Sequence, residues 1–474
     1  MRAMGASLAG LLLVLTLPAA ALDQDCLDLE ELEQAAAQSE AQQAAEIQKV
    51  EEKKKARRRP SGWFQFRSRP SLRFGNWLRV DFRVKVQNDH RTYDPKIATD
   101  EGDYELNRLR VGVEGRFLNH FEFEVEREIK EQFTQVFDLQ REQTPNVWRD
   151  VFINFRYLRD FQIKGGKFKI PFGMEQLTGP TNLDFINRAR ISNELTPGRD
   201  LGIMAHGRFF QRGLSYEAGI FRHDGENAQI REVVNELGDE ERFYTGVRSF
   251  AGRVTGMPLR LIKMPGPLRT VELGGAFVLT KVPPGLKGLR GRGLAGETYY
   301  RHIFVHGQRL RLGAELNWAS GPFSVKSEFI HVSEERQGQG IRGEDLPNAI
   351  SRGWYVTGTW VVTGQRNETR DEPSRRAFVL LGRGLGAVEI AARYESLRHG
   401  SAEHPGRPSR ASRAANILGN SERLWTFGAN WYMHRWTKVQ FNAVRERFED
   451  AQRVPLLGVT DPYWTRMVRV QFVF

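Results

Sequence analysis

The sequence predicts an all-β chain: a transmembrane antiparallel β-barrel of about 16 strands, preceded by a short N-terminal helical or coiled-coil segment. Three observations carry this. From residue 61 to the end, apolar and polar residues alternate with period two. The polar connections between these stretches run alternately short and long. The last stretch closes on Phe474, with Val468, Val470, Phe472 and Phe474 on one face and Arg469 and Gln471 on the other.

Composition does not oppose a membrane barrel. The 474 residues are 40% hydrophobic and the mean hydropathy is −0.51. No run reaches the roughly 18 apolar residues of a membrane helix. A barrel escapes that test, because only alternate strand residues face lipid.

Residues 1–21 read as a secretory signal. Arg2 supplies the positive region, Leu8 to Leu17 the apolar core, and Pro18-Ala19-Ala20-Ala21 an Ala-x-Ala cleavage site after Ala21. This predicts Sec-type export and, with the strand series, the outer membrane of a Gram-negative-type bacterium. Cys26 is the single cysteine, so no internal disulfide forms. Asp23-Gln24-Asp25 before it does not suit a lipid anchor. The formal charge of +12 favours anionic small solutes or lipopolysaccharide phosphates over nucleic acid as partners of an exported protein.

Residues 22–59 carry Leu29, Leu32, Ala36, Ala44 and Ile47 at roughly helical spacing, with Glu early and Lys/Arg late, as a helix dipole prefers. Ser39 and Gln43 fall on the candidate seam, so a coiled coil and a solvated spacer are both open. Arg57-Arg58-Arg59-Pro60 ends the segment, and residues 60–474 form the barrel.

Within the barrel, Leu78, Val80, Phe82, Val84 and Val86 oppose Arg79, Asp81, Arg83, Lys85 and Gln87. Phe121, Phe123 and Val125 alternate with Glu122, Glu124 and Glu126. Val151, Ile153 and Phe155 alternate with Phe152, Asn154 and Arg156. Leu310, Leu312, Leu316 and Trp318 oppose Arg311, Gly313, Glu315 and Asn317, and Val439 and Phe441 oppose Lys438, Gln440 and Asn442. Leu118-Asn119-His120 and Leu158-Arg159-Asp160 are candidate tight joints; residues 88–104, 223–246, 281–298 and 398–421 are the long polar connections. Nine tryptophans, from Trp77 to Trp464, lie in or beside candidate strands, where aromatic girdles sit.

The stretch from Gly166 to Gly202, GKFKIPFGMEQLTGPTNLDFINRARISNELTPGRDLG, resembles the signature region of the phosphate-selective porin O and P family. Similar likeness lies in GWYVTGTWVVTGQ from Gly353, GAVEIAARYESL from Gly386 and WTFGANWYMHRWTKVQFNAV from Trp425. The chain departs from the family habit at Asn187, where relatives often carry an acid before the loop arginine. The resemblance spans residues 61–474. It implies a sixteen-stranded barrel, a homotrimer, and passive diffusion of small anionic solutes such as phosphate, in contact with outer-membrane lipid and lipopolysaccharide. A terminal strand ending on Phe474 is the usual signal to the barrel assembly machinery.

Residues 170–200 lie between candidate strands 161–169 and 202–210, with a helical turn expected around Asp184 to Ala189. The resemblance implies that this loop folds into the pore. Arg188, Arg190 and Arg199 then become constriction candidates for anion binding, because a guanidinium stays charged and its donor fork matches phosphate oxygens. Salt bridging to Asp184, Glu194 or Asp200 is the open alternative. Arg79, Arg83, Lys85, Arg108, Arg110, Lys167 and Lys169 are candidates for the lumen anion path, as rings of Arg and Lys select anions. Glu122, Glu124, Glu126, Glu315 and Glu328 face the same lumen and offer these cations partners.

No catalytic residue, cofactor or metal ligand is assigned: the chain holds no HExxH and no P-loop. A structural or adhesive barrel and an outer-membrane hydrolase are the alternative functions. The second would draw on His206, Ser215 and His331, whose spacing supports no arrangement.

Overall fold

The computed structural model describes residues 63–66, 69–94, 103–129, 148–210, 213–225, 248–286, 288–364, 384, 386–451 and 462–474. The signal segment, Cys26 and residues 22–59 lie outside the described residues.

Among them, two short strands, β1 (Phe64–Phe66) and β2 (Pro70–Phe74), precede the barrel. The first half of the ring is β3 (Leu78–Tyr93), β4 (Asp103–Phe117), β5 (Phe121–Glu128), β6 (Trp148–Phe155), β7 (Gln162–Lys169), β8 (Arg199–Phe209), β9 (Leu214–Phe221) and β10 (Ser249–Gly256). β11 (Glu272–Leu286) follows. A small separate hairpin, β12 (Gly291–Arg292) and β13 (Thr298–Tyr300), interrupts the series. The ring then continues with β14 (Phe304–Ser320), β15 (Phe323–Arg336), β16 (Leu346–Val361), β17 (Ala387–Ser401), β18 (Asn420–His434), β19 (Thr437–Phe448) and β20 (Tyr463–Val473).

Each ring strand pairs antiparallel with its neighbours, and β20 pairs back onto β3 from Thr465↔Tyr93 to Val473↔Lys85, closing sixteen strands. Phe474 completes the seam: its N–H donates to the Val84 carbonyl at 3.1 Å, and the Val84 N–H donates to the Phe474 carbonyl at 3.0 Å. β2 takes over the same edge of β3 below this point, from Ser71↔Asp81 to Phe74↔Leu78. Closure matters because an open strand edge would leave backbone groups unpaired in lipid.

The alternation read from sequence sets the two faces. Phe82, Ile153, Leu312, Phe441, Val470 and Phe472 are exposed outward, while Lys85, Gln87, Asn154, Arg311, Gln440 and Arg469 are buried inside the ring. Leu118 and Asn119 both take left-handed backbone (φ 48° and 61°), which closes β4 onto β5 in a tight turn without glycine. β3 runs on to Tyr93, so the connection expected over 88–104 is shorter. Gln87 and Asn88 mark a register shift there, and the strand continues with polar residues on both faces.

Residues 170–198 fold into the ring. Their helical turns fall at Met174–Leu177, Pro180–Asn182 and Arg190–Glu194, not around Asp184 to Ala189. The reason is competition for the backbone. Asn442 Oδ1 accepts the Ile186 N–H at 2.7 Å, Arg469 donates to the Ile186 carbonyl at 2.9 Å, and Asn430 donates to the Asp184 carbonyl at 2.8 Å. Groups that a helix would pair within itself are taken by the wall. Gly173, at φ 78°, allows the chain to enter the lumen; a Cβ there would lie 2.9 Å from the Thr196 methyl. Ile170, Phe172, Ile191 and Leu195 then pack against Ile330, Val332 and Tyr355 of the wall.

Candidate functional site

The inward loop is fastened to one side of the barrel. Glu328 on β15 accepts the N–H groups of Met174 and Glu175, the two orphan donors at the start of a helical turn. Lys438 and Gln440 on β19 donate to the Leu183 carbonyl at 3.0 and 3.3 Å. Gln87 and Gln471 take the carbonyls of Pro180 and Thr181. Arg393 on β17 bonds Glu175 at 3.1 Å and lies 4.7 Å from the centre of the Phe185 ring. Arg311, fully buried, holds the Leu195 carbonyl at 2.9 Å and shares Asp224 with Arg309.

On the other side, against β3 to β10, a cavity of about 510 Å³ stays open between loop and wall. Its lining carries seven Arg/Lys side chains against five Asp/Glu, a difference of +2. The ion pairs show where that difference resides. Arg83 bonds Glu114 and Glu124, Lys85 bonds Glu126, Arg199 bonds Asp150, Arg253 bonds Glu217 and Glu315, and Lys326 bonds Asp184. All five lining acids, Glu124, Asp150, Glu175, Asp184 and Glu217, have a cationic partner.

Two lining cations form no ion pair among the described residues. Lys169 donates to the carbonyls of Gln176, Leu177 and Thr178, the open C-terminal end of the Met174–Leu177 turn. Lys164 lies over the rings of Phe152 and Phe168, 4.5 and 5.4 Å from their centres. Carbonyl dipoles and aromatic faces orient an ammonium but do not cancel its charge.

The three constriction candidates take different places. Arg188 donates to the carbonyls of Glu175 (3.1 Å) and Thr178 (2.7 Å). Burial, together with the like charges of Arg199, Arg110 and Arg469, pulls its guanidinium down to about 10, against a partial offset from Glu175. It therefore remains a cation at neutral pH. Arg188 backs the loop, lining a separate small space with Arg190, Arg393 and Met467. Arg190 is buried in ion pairs with Glu422 and Glu194, both at 3.0 Å. Arg199 grips Asp150 through Nε (3.2 Å) and Nη2 (2.7 Å). Of the acids weighed in sequence, Glu194 meets one of these arginines, Arg190. Asp184 goes to Lys326, and Asp200 goes to His223.

The lumen candidates also separate. Arg79 pairs with Asp81, Arg110 with Glu126 and Glu128, and Arg108 donates to Gln87. Lys167 stands on the outer face, opposite Val151 and the exposed Leu201, with its ammonium 2.7 Å from the Trp148 carbonyl. The lumen position expected for it is corrected by parity: Ile163 points outward, so Lys164, not Lys167, points in. The sequence reading missed Lys164, although its alternation with the exposed Ile163 is the signal that finds it.

His206 bonds Asn154 at 2.9 Å. His331 sits on β15, with β10, β11 and β14 between it and the β8–β9 pair that carries His206 and Ser215. The three residues are not brought together.

Among solved structures, in-vitro folded OmpT, an outer membrane protein of Vibrio cholerae, is similar with TM-score 0.51 at 9% identity, over 85% of this chain and 99% of that one. A high-pH structure of Pseudomonas putida OprB gives TM-score 0.50 at 10% identity, over 83% of this chain and 94% of that one. At such identity the likeness carries the fold alone. Among curated proteins no significant match is found. The family model described as phosphate-selective porin O and P matches residues 79–474, from the first ring strand to the terminal phenylalanine. The chain thus belongs to the phosphate-selective porin O and P family and is an outer-membrane porin.

Proposed function

We propose that the barrel is a passive, anion-preferring pore whose field is set by Lys164 and Lys169. The observation that carries this reading is the charge arrangement of the open cavity: every lining acid is in an ion pair, and among the described residues these two lysines are in none. In a narrow, low-dielectric passage two positive charges outside ion pairs raise the local concentration of anions and repel cations. Phosphate-type solutes fit the family and the ammonium chemistry, since lysine binds phosphate as a point charge. In this reading the pore is not an enzyme.

The same proposal assigns residues 1–21 to a signal for Sec-type export, residues 22–59 to a periplasmic segment and residues 60–474 to the barrel. It assigns Phe474 to recognition by the assembly machinery and, from the family resemblance, gives the protein a homotrimeric state.

Planar-bilayer recording of the purified full chain tests the reading. Discrete conductance steps are expected, and chloride current should fall as phosphate is titrated in. Lack of any step overturns the pore. A chloride current indifferent to phosphate overturns the phosphate preference.

A further inference from the structure

Three connections at the turn end of the barrel are minimal: three residues between β4 and β5, and two each between β14 and β15 and between β18 and β19. The β10–β11 connection is much longer, as is the β16–β17 connection over residues 362–386. Residues 257–271, MPLRLIKMPGPLRTV, form two short helical turns at Pro258–Leu261 and Pro267–Thr270, with Lys263 in left-handed backbone between them.

This segment is amphipathic and unusually bare. Leu261, Ile262, Met264 and Leu268 are 45%, 72%, 38% and 48% exposed. Arg260, Lys263 and Arg269 alternate with them, and no acidic residue lies between Thr255 and Val271. None of the three cations is in an ion pair among the described residues.

Its tethers fix where it lies. The indole N–H of Trp318 donates to the Pro267 carbonyl at 2.9 Å, and the Thr270 hydroxyl donates to the Ala319 carbonyl at 2.6 Å. Trp318 has the same strand parity as the outward, exposed Leu312. At the other end, the Met257 N–H donates to the Gly213 carbonyl at 2.8 Å, and Leu261 packs onto Gly213 so closely that a Cβ there would meet it at 2.5 Å. The segment therefore runs along the outer rim, not beneath the lumen. Its apolar residues continue the exposed band of Phe209, Val254 and Leu273.

We propose that residues 257–271 are an anionic-phospholipid site. The four apolar side chains enter the acyl region of the periplasmic leaflet, and Arg260, Lys263 and Arg269 hold phosphate headgroups. Continuity with the lipid-facing band supplies the first half of the argument. Charge complementarity supplies the second, because basic residues flanking inserted apolar ones bind anionic lipid surfaces. Short turns of such barrels face the periplasm, which excludes the lipopolysaccharide leaflet as the source of the phosphate.

Native mass spectrometry of the full chain in micelles doped with phosphatidylglycerol or phosphatidylcholine tests this. Wild type should retain phosphatidylglycerol in preference to phosphatidylcholine, and R260Q/K263Q/R269Q should retain it less, by about fivefold for each charge removed. K263Q alone, at an exposed position, provides the same reading if the triple variant folds poorly. Equal retention of the two lipids by wild type, or unchanged retention by a folded K263Q and triple variant, overturns the site. So does self-association through this face that displaces the lipid.

Discussion

Two walls of the lumen use the same residue types to opposite ends. On β15 and β17 to β20, Glu328, Glu395, Lys438, Asn442 and Arg469 spend their hydrogen bonds on the backbone of the inward loop. On β3 to β10, Arg83, Lys85, Asp150, Glu217 and Arg253 pair with one another or with neighbours across the sheet and border open space. The first wall builds the constriction; the second, where Lys164 and Lys169 form no ion pair among the described residues, charges it. A count of lumen charges thus says little about selectivity until the charges paired with opposite ones are subtracted.

The largest expected effect comes from breaking the holding wall. Arg190→Met leaves Glu422 buried without its guanidinium, which costs on the order of 3–5 kcal/mol. Thermal unfolding in detergent should show it as a clear drop, and a stability equal to wild type would contradict the holding role.

Acid should loosen the anchor on β14, where Arg311 holds the Leu195 carbonyl and shares Asp224 with Arg309. The Asp224 carboxyl is penalised by burial, but Arg311 and Arg309 more than offset this and hold it at about 2. Because the folded value lies below the ordinary 3.8, the stabilisation is present above about pH 4 and lost as pH falls toward 2, on the order of 2 kcal/mol in all. Stability measured from pH 5 to pH 2 should fall in that window for wild type and fall less for Asp224→Asn.

Arg79→Gln should do least. Its pair with Asp81 is half-exposed, and such pairs contribute about 1 kcal/mol or less. Neither stability nor ion preference should move appreciably, and a large shift in preference would extend the charged wall toward the turn end.

The faces of the strands were legible in the sequence because a period of two forces each apolar residue outward once its neighbour is inward. Leu78 to Val86, Phe121 to Val125 and Val468 to Phe474 needed no tertiary information. Entry of the 170–198 loop into the pore followed from family resemblance. The partners of its charges did not, because they lie far apart in the chain: Asp150 is 49 residues from Arg199, Asp184 is 142 from Lys326, and Glu175 is 218 from Arg393. Ion pairs across a barrel depend on register and curvature, which local patterns do not encode. Lys164 and Lys167 were separable by parity. Proximity to the loop was the weaker guide, since β7 turns its outer face at Lys167 just before its end.

The measurement that bears most directly on the charged wall is the zero-current potential across a bilayer under a potassium chloride gradient, for wild type and for Lys164→Gln/Lys169→Gln. The two-wall reading predicts a potential on the chloride side for wild type that collapses toward zero in a double variant that still folds. A wild-type potential on the potassium side, or one that the double variant leaves untouched, contradicts it.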